Sequence, residues 1–434
     1  MNKLKYIIIF ASLALGASSC GKDFTDPGST LVQDAISNSV GLTGIAVGLQ
    51  KQYSVSRVSP VYNLVTANGF STLELRLQNT GNTDELNLSI GGVNVDGNNG
   101  VLGNLWAADL KIIYDANNVI NNAEKLGDKN YASGLIAYAA IFKAMAYANL
   151  SICWESVPDS IGVNVGFVTR ADGFNRALAA LDKGIAAITA NPISSGFLAN
   201  IPAGIEVPNT LQALKARYLL FSGNYPAALA AANLVNLTVK SEMRFDAISP
   251  NPIFTVSTST NNVWQVLDST LGLPVSLAPN LSDKRIPFLM TINPTIAPRW
   301  RIAGFGAALT TPWPIWIPGE ITLIKAEANA RLATPNLPNA IVELNKVLTK
   351  QPADDPFGVG AGLPPYAGPV TAADILTEIY RNRCIELYMQ GYKLEDMRRF
   401  NRPNTPNVEK RRNFYPYPFR ERDNNTNTPA DPTF

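Results

Sequence analysis

Apolar and small residues recur along most of this chain with the period of an amphipathic α-helix. This period predicts an all-α protein. Between residues 55 and 100, and again between 238 and 316, it breaks into clusters of Asn, Gly, Ser, Thr and Pro, which predict long loops with a few short strands. Loops of that length in a compact protein are usually functional, so we expect the function to lie there. The predicted helical segments are 31–53, 102–126, 131–154, 173–190, 210–222, 226–237, 319–332, 338–349 and 372–389.

Two stretches predict paired helices of the kind found in tetratricopeptide repeats. In ALKARYLLFSGNYPAALAAANLV, Gly223 permits a turn, Tyr225 fills the junction and Ala228 lies on the seam between the helices. In the second stretch, EITLIKAEANARL is followed by NLPNAIVELNKVL, whose small residues form a similar seam. An ordinary helical hairpin is the alternative. We expect a tetratricopeptide-like scaffold of about four helical pairs, with a loop-rich lobe attached to it.

The first 24 residues, MNKLKYIIIFASLALGASSCGKDF, have the three parts of an export signal. Lys3 and Lys5 form a basic start, an apolar run follows, and small residues lead to Cys20. A cysteine at the cleavage point is typical of a bacterial lipoprotein, although Ala17 stands where Leu is usual. We therefore expect residues 1–19 to be a lipoprotein signal peptide and Cys20 to be acylated, for example by palmitate. A plain signal peptide with a chance cysteine is the alternative, and we expect no later stretch to be long and apolar enough to span a membrane.

Composition removes several classes of function. The 434 residues carry 36 basic and 34 acidic side chains, so no strong positive field attracts nucleic acid. The absence of histidine excludes Ser-His-Asp and Cys-His catalytic sites and the usual His-bearing zinc sites. We expect Cys153 and Cys384 to be buried free thiols, with a disulfide as the alternative. The segment NVDGNNG at 94–100 lacks the spaced acidic residues of a calcium loop and predicts a turn, so no metal or cofactor is expected.

The segment 375–400, ILTEIYRNRCIELYMQGYKLEDMRRF, is similar to the closing motif of the SusD/RagB family. That motif carries an Arg, a Glu-Leu pair, a Gly, an Asp and a final Arg at fixed spacing. The matching positions here are Arg383, Glu386, Gly391, Asp396 and Arg399. The chain departs from the motif at Asn382, Gln390 and Lys393, which weakens ion pairing and leaves the apolar and glycine positions intact.

Further stretches resemble the same family in the same order: CGKDF at 20–24, IYDANNVI at 113–120, FKAMAYANL at 142–150, WESVP at 154–158 and ITLIKAEANARL at 321–332. The resemblance implies a single domain over 20–434, with an N-terminal part over 20–237 and a C-terminal part over 238–434. It also implies a non-enzymatic, surface-exposed outer-membrane lipoprotein. Such a protein captures oligosaccharide, or in some members peptide, for nutrient uptake, and delivers it to a SusC-like TonB-dependent transporter. A secreted glycoside hydrolase with two carboxylates and a peptide-binding or helical-repeat adaptor are the alternatives.

The charged motif residues have a physical reading that needs no catalysis. Arg383 and Glu386 stand three residues apart on a predicted helix, as do Asp396 and Arg399, so we expect each pair to form a salt bridge. We expect Glu327 to bridge to an arginine of the last helix. Charges among Leu, Ile and Ala more often join helices than bind a ligand.

Ligand-binding candidates come from the loops. Aromatic faces stack on sugar C–H faces, and amides, carboxylates and guanidinium groups bind hydroxyls. Trp313 and Trp316 lie in a proline-stiffened stretch before a scaffold helix, and Trp300 has a similar standing. The hydrogen-bonding candidates are Tyr62, Arg76, Asn79, Asn82 and Asp84. Packing of the aromatic rings and simple turn formation by the polar residues are the alternatives.

Overall fold

The computed structural model describes residues 36–258, 262–292 and 300–433. The predictions for residues 1–19 and Cys20 lie outside these ranges. In the N-terminal part, helices that follow one another along the chain pack against each other. They are α1 (Ser39–Ser54), α2 (Pro60–Ser71), α3 (Thr83–Ile90), α4 (Gly100–Ala123), α5 (Lys129–Cys153), α6 (Arg170–Ala190), α7 (Ser195–Asn200), α8 (Val207–Phe221) and α9 (Tyr225–Asn233).

The C-terminal part alternates irregular chain with helices. These helices are α10 (Pro252–Thr258), α11 (Arg285–Leu289), α12 (Pro318–Arg331), α13 (Leu337–Thr349), α14 (Ala372–Glu386), α15 (Lys393–Arg399) and α16 (Phe419–Asn424). The all-α prediction is confirmed, and the loop-rich segments carry short strands as expected. The strands are β1 (Leu75–Leu77), β2 (Ser156–Pro158), β3 (Phe167–Thr169), β4 (Glu242–Met243), β5 (Trp264–Val266), β6 (Met290–Ile292), β7 (Trp300–Ile302) and β8 (Trp313–Pro314). They form antiparallel pairs β1–β5, β2–β3, β4–β8 and β6–β7.

Polar side chains start the helices by accepting hydrogen bonds from backbone N–H groups of the first turn. Asp128 accepts from the N–H of Tyr131 at 2.9 Å before α5. Thr169 does the same for Asp172 before α6, at 3.2 Å. These caps lie at or close to the helix starts that the sequence predicts.

The helix α2 lies in a segment that the sequence predicts to be loop. Every residue from Pro60 to Ser71 is buried, Ser59 caps the helix and Pro60 occupies its first turn. A helix surrounded by protein on all sides has no polar face, so amphipathic periodicity does not detect it. The segment is helical because it packs against α4 and other neighbours, and not because of a local pattern.

The helix α5 forms the centre of the main core, between α4 and α6. In the described part of the chain, it is long and apolar enough to span a membrane, with a mean hydropathy of 1.4 in its most apolar window. The expectation that no such stretch follows the signal segment is therefore wrong by length and composition. Because 94% of that window is buried inside the protein, α5 serves here as a core helix. Cys153 at its end and Cys384 in α14 are both buried free thiols, as expected.

The predicted repeat-like pairs are present. The helices α8 and α9 form one hairpin, α12 and α13 form another, and α9 packs against α12. Gly223 turns the chain between α8 and α9 with a φ of +76°, which only glycine adopts without strain. A smaller apolar cluster, centred on Leu323, Leu344 and Ile379, joins α12, α13 and α14. The tetratricopeptide-like scaffold is thus confirmed.

Candidate functional site

The aromatic residues expected to bind ligand lie mostly in the core. Trp313 and Trp316 are 5% and 1% exposed, and Tyr62 is 1% exposed. The Trp313 ring packs against Phe305, and the Tyr62 hydroxyl donates to Glu85 at 2.7 Å. A ring that stacks on a sugar needs a free face. These three rings offer no free face. They pack in the core, which is the alternative that the sequence leaves open, and they are not ligand-binding residues.

The early polar loop is at the surface. Arg76 and Asn79 are exposed, while Asn82 and Asp84 are partly exposed. Asn79 also shapes a turn, because its side-chain oxygen accepts from the N–H of Gly81 at 2.9 Å and its carbonyl accepts from the Asn82 amide at 3.2 Å. The turn holds a polar surface in place without burying it.

Four short strands bring distant parts of the chain together, and we call β1, β5, β6 and β7 the strand unit. Arg76 on β1 stands opposite Gln265 on β5. The Gln265 side-chain oxygen accepts from the backbone N–H of Ile302 on β7 at 2.9 Å. Trp300, partly exposed, begins β7 and pairs with Ile292 on β6. The strand unit therefore joins two sequence-predicted candidates, Arg76 and Trp300.

Asn82 precedes α3 and Asp84 lies in the first turn of that helix, close to the start of α4. The backbone carbonyl of Asp84 accepts from the side-chain amide of Asn99 at 2.9 Å. Beside this contact, a cleft of about 270 Å³ is lined by residues 97–100, 103–104 and 418–420. The sequence predicts only a turn at 94–100, and it does not indicate Phe419 or Arg420 as site residues.

The missed residues carry only a weak sequence signal. The segment 415–419 reads Tyr-Pro-Tyr-Pro-Phe, which indicates a stiff aromatic stretch. Tyr415 and Tyr417 are buried, whereas Phe419 is 39% exposed. Nothing local distinguishes the exposed ring from the buried ones, because the neighbours that cover the tyrosines come from other parts of the chain.

The charged motif residues support the lobe from beneath. Arg383 donates to both carboxylate oxygens of Asp396, at 2.9 and 3.0 Å. Arg399 bridges Asp396 and Glu327, so the predicted Asp396–Arg399 and Glu327 bridges are confirmed. Gly391 lets the chain turn back between α14 and α15 with a φ of +80°.

The predicted Arg383–Glu386 bridge is wrong. Glu386 accepts instead from Arg285 and from Lys350, each at 3.0 Å. The fold places α15 beside Arg383 and the α11 segment beside Glu386, so each side chain meets its own partners. Burial by itself would raise the pKa of Glu386, but Lys350 and Arg285 hold that pKa below its ordinary value. The residue is an ionised structural anchor.

Two carboxyl groups with a raised pKa lie away from the surface. Burial raises the pKa of Glu74 to about 7 and raises that of Asp109 well above its ordinary value. Both carboxyl groups lie in the core, where no substrate reaches them. Within the described ranges, no group of three His, Cys, Asp or Glu side chains could hold a metal ion. The described surface presents amides, guanidinium and ammonium groups, carboxylates and a few aromatic rings to a ligand.

These features together define a helical-repeat scaffold that carries a loop-rich, polar surface. No known family model and no curated protein matches the sequence. Solved structures do match. A SusD superfamily protein from Bacteroides thetaiotaomicron is 15% identical with a TM-score of 0.70, and the match covers 91% of this chain and all of that one.

Other similar structures agree. A SusD homolog from Bacteroides thetaiotaomicron is 12% identical with a TM-score of 0.70, covering 94% of this chain and 100% of that chain. A SusD-like carbohydrate binding protein from Bacteroides vulgatus is 16% identical with a TM-score of 0.66, covering 83% of each chain. The chain therefore has the SusD fold, as the motif at 375–400 indicates.

Proposed function

We propose that this protein is a cell-surface glycan-binding lipoprotein that captures oligosaccharides and delivers them to a SusC-like TonB-dependent outer-membrane transporter. The observation that carries the proposal is the SusD fold over most of the chain, which is shared with a structure named as a SusD-like carbohydrate binding protein. The exposed polar residues of the loop-rich lobe supply groups that bind hydroxyls.

In this proposal, the strand unit and the adjoining turn at Asn79 form part of the ligand surface. Arg76 and Asn79 present hydrogen-bonding groups, and the partly exposed Trp300 presents an aromatic ring. The buried ion pairs of α14 and α15 keep the scaffold beneath this surface rigid. A rigid surface loses little conformational entropy when it binds a ligand.

The test is binding of the mature protein to a panel of neutral polysaccharides by affinity electrophoresis and calorimetry. We expect binding to at least one glycan, without release of reducing ends. The double variant Arg76→Ala, Asn79→Ala should weaken that binding, whereas Lys346→Ala on the scaffold helix α13 should not. Release of reducing ends would favour the hydrolase, and binding of peptides alone would favour the peptide-binding adaptor.

The anchor and the transporter need separate tests. Cys20→Ser should abolish palmitate labelling and release the protein from outer-membrane fractions. Mild cross-linking of cells should recover a TonB-dependent transporter with the wild-type protein. A tether of this kind keeps the binding protein beside the transporter at a high effective concentration. Membrane retention of Cys20→Ser would contradict the lipid anchor.

A further inference from the structure

Specific backbone and side-chain contacts hold the walls of the cleft at the start of α4. The backbone N–H of Phe419 donates to the carbonyl of Gly97 at 2.9 Å. A Cβ atom on Gly97 would lie 2.8 Å from the Phe419 ring and 2.7 Å from the carbonyl oxygen of Tyr417, so only glycine permits this close approach. Asn99, 3% exposed, accepts from the N–H of Leu102 and donates to the carbonyl of Asp84. These contacts fix both walls of the cleft.

The helix α16 holds the Phe419 ring in position. Its Glu421 accepts from the indole N–H of the buried Trp106 at 3.0 Å and from the Asn425 amide at 2.8 Å. Asn425 in turn donates to the carbonyl of Val165 at 3.0 Å. The ring therefore stands on an anchored turn, which is what a pre-organised stacking surface needs.

The polar side chains around the cleft are available to a ligand. Asn98, Asn104 and Arg420 are exposed. Among the described residues, their side chains make no hydrogen bond or ion pair with another part of the protein. Two amides and a guanidinium group beside an exposed ring form a set that binds hydroxyl groups while an aromatic face covers C–H groups.

The charges at the cleft favour a neutral ligand. The start of a 24-residue helix carries a partial positive charge. The carboxylate of Asp84 already lies against this helix start, since a Cβ on Gly100 would be 2.5 Å from its oxygen. Asp96, beside Asn98, adds a second carboxylate that accepts from the Asn98 N–H at 2.9 Å. Arg420 is the one charged side chain in the lining of the cleft, and the two carboxylates beside the cleft offset its charge and that of the helix start. The cleft therefore has no strong net charge that would select an anion.

The size of the cleft favours one ring at a time. Its volume of about 270 Å³ is just below the range of about 300–1,000 Å³ typical of pockets for drug-sized ligands. A second cleft of about 500 Å³ lies at the end of α1 and shares Asn104 with the first. The shared Asn104 makes the two clefts neighbours, and the second extends to Gln52 and Val58.

We propose that this cleft binds one pyranose ring of a neutral oligosaccharide, with the next ring crossing Asn104 into the second cleft. Phe419 stacks on the C–H face of the sugar, and Asn98, Asn104 and Arg420 bind its hydroxyl groups. The inference rests on the glycan-binding function proposed above and assigns it a further subsite, distinct from the strand unit.

The test measures calorimetric affinities for maltoheptaose, cellohexaose, xylohexaose and mannohexaose. For the glycan that binds, Phe419→Ala should lower the affinity about tenfold or more, equivalent to about 1.4 kcal/mol. Phe419→Trp, which keeps a stacking face, should retain it. Tyr114→Ala is the control: it removes a different exposed ring, which lies on α4 outside the cleft, and it should leave the affinity unchanged. Asn104→Ala should weaken the long glycan more than the matching monosaccharide, because a single ring occupies only the first cleft.

The outcomes separate the two proposals. Binding that Phe419→Ala and Asn104→Ala leave unchanged, in variants with native circular dichroism, would overturn this subsite and leave glycan binding standing. Binding to none of the glycans by the wild-type protein would overturn both. Tighter binding of polygalacturonate than of every neutral glycan would contradict the neutral ligand class.

Discussion

At the residue scale, Glu74 is an acidic side chain held in the core beneath the lobe. It is 1% exposed and accepts a hydrogen bond from the Thr72 hydroxyl at 3.2 Å. Burial raises its pKa to about 7, although Lys393 acts in the opposite direction and Asp396 adds to the rise. The folded protein therefore holds a proton on Glu74 at a pH at which an exposed glutamic acid is ionised.

This proton makes stability depend on pH. The folded pKa lies above the unfolded one, so the stabilisation is present below the unfolded pKa of about 4.5 and is lost as the pH rises through about 7. We expect the free energy of unfolding of the wild-type protein to fall between pH 5 and 7 more steeply than that of Glu74→Gln. The difference in slope should approach about 1.4 kcal/mol per pH unit, the value for one proton.

Denaturant titrations at several pH values would measure this difference. Asp246→Asn is the control, because the hydrogen bonds from the Ser249 and Ile248 backbone lower the pKa of this exposed group and keep its titration below the window. Equal slopes for the wild-type protein and Glu74→Gln would mean that Glu74 is already ionised in the folded state.

At the element scale, ion pairs bind the closing helices α14 and α15 to α12. Arg383 of α14 and Arg399 of α15 meet Asp396 and Glu327, and the side chain of each carboxylate is at most 1% exposed. Burial of such charges is costly, and only complete pairing offsets the cost. The cluster therefore specifies how these helices fit together more than it adds to stability.

Removing one member of the cluster should be strongly destabilising. We expect Arg383→Ala to lower the free energy of unfolding by about 3–5 kcal/mol, because it leaves Asp396 and Glu327 buried with one cation fewer. Guanidinium denaturation followed by circular dichroism measures the change. Lys346→Ala, which breaks an exposed pair with Glu343 in α13, should cost less than about 1 kcal/mol. A similarly small loss for Arg383→Ala would show that Arg399, with Arg331 on Glu327, satisfies the carboxylates without Arg383.

At the scale of the whole molecule, the N-terminal and C-terminal parts complete each other. The Asn68 amide donates to the carbonyl of Gly391 at 2.6 Å, and its oxygen accepts from the Tyr415 hydroxyl at 2.9 Å. Trp154 donates to the carbonyl of Pro416 at 2.9 Å. These groups are buried, so separating the parts would leave them without partners.

The single domain over 20–434 stays a prediction, and this exchange of contacts within the described part of the chain gives a way to test it. We expect the fragment 20–237 to lack fixed tertiary structure, since its Arg217 would lose Glu320 and its Asn68 would lose Gly391. Near-ultraviolet circular dichroism and the dispersion of amide proton signals would measure this. The fragment 20–434 is the control and should unfold in one cooperative transition by both fluorescence and circular dichroism. A well-dispersed spectrum from 20–237 would contradict the single-domain prediction.

The sequence by itself determined the helices whose apolar faces repeat locally, the hairpin turn at Gly223, and the resemblance in the closing segment. It also indicated that the charges of that segment join helices. These features depend on neighbours a few residues apart, and a linear pattern records them.

Only the tertiary structure decided which surfaces stay open and which partners meet. It buried Trp313, Trp316 and Tyr62, and it made α2 a helix without an amphipathic pattern. It paired Glu386 with Arg285 and Lys350. It also exposed Phe419 beside the loop 97–100. Burial and partner choice depend on segments hundreds of residues apart in the chain, such as Gly97 and Phe419, and the spacing of residues along one helix or loop carries no record of them.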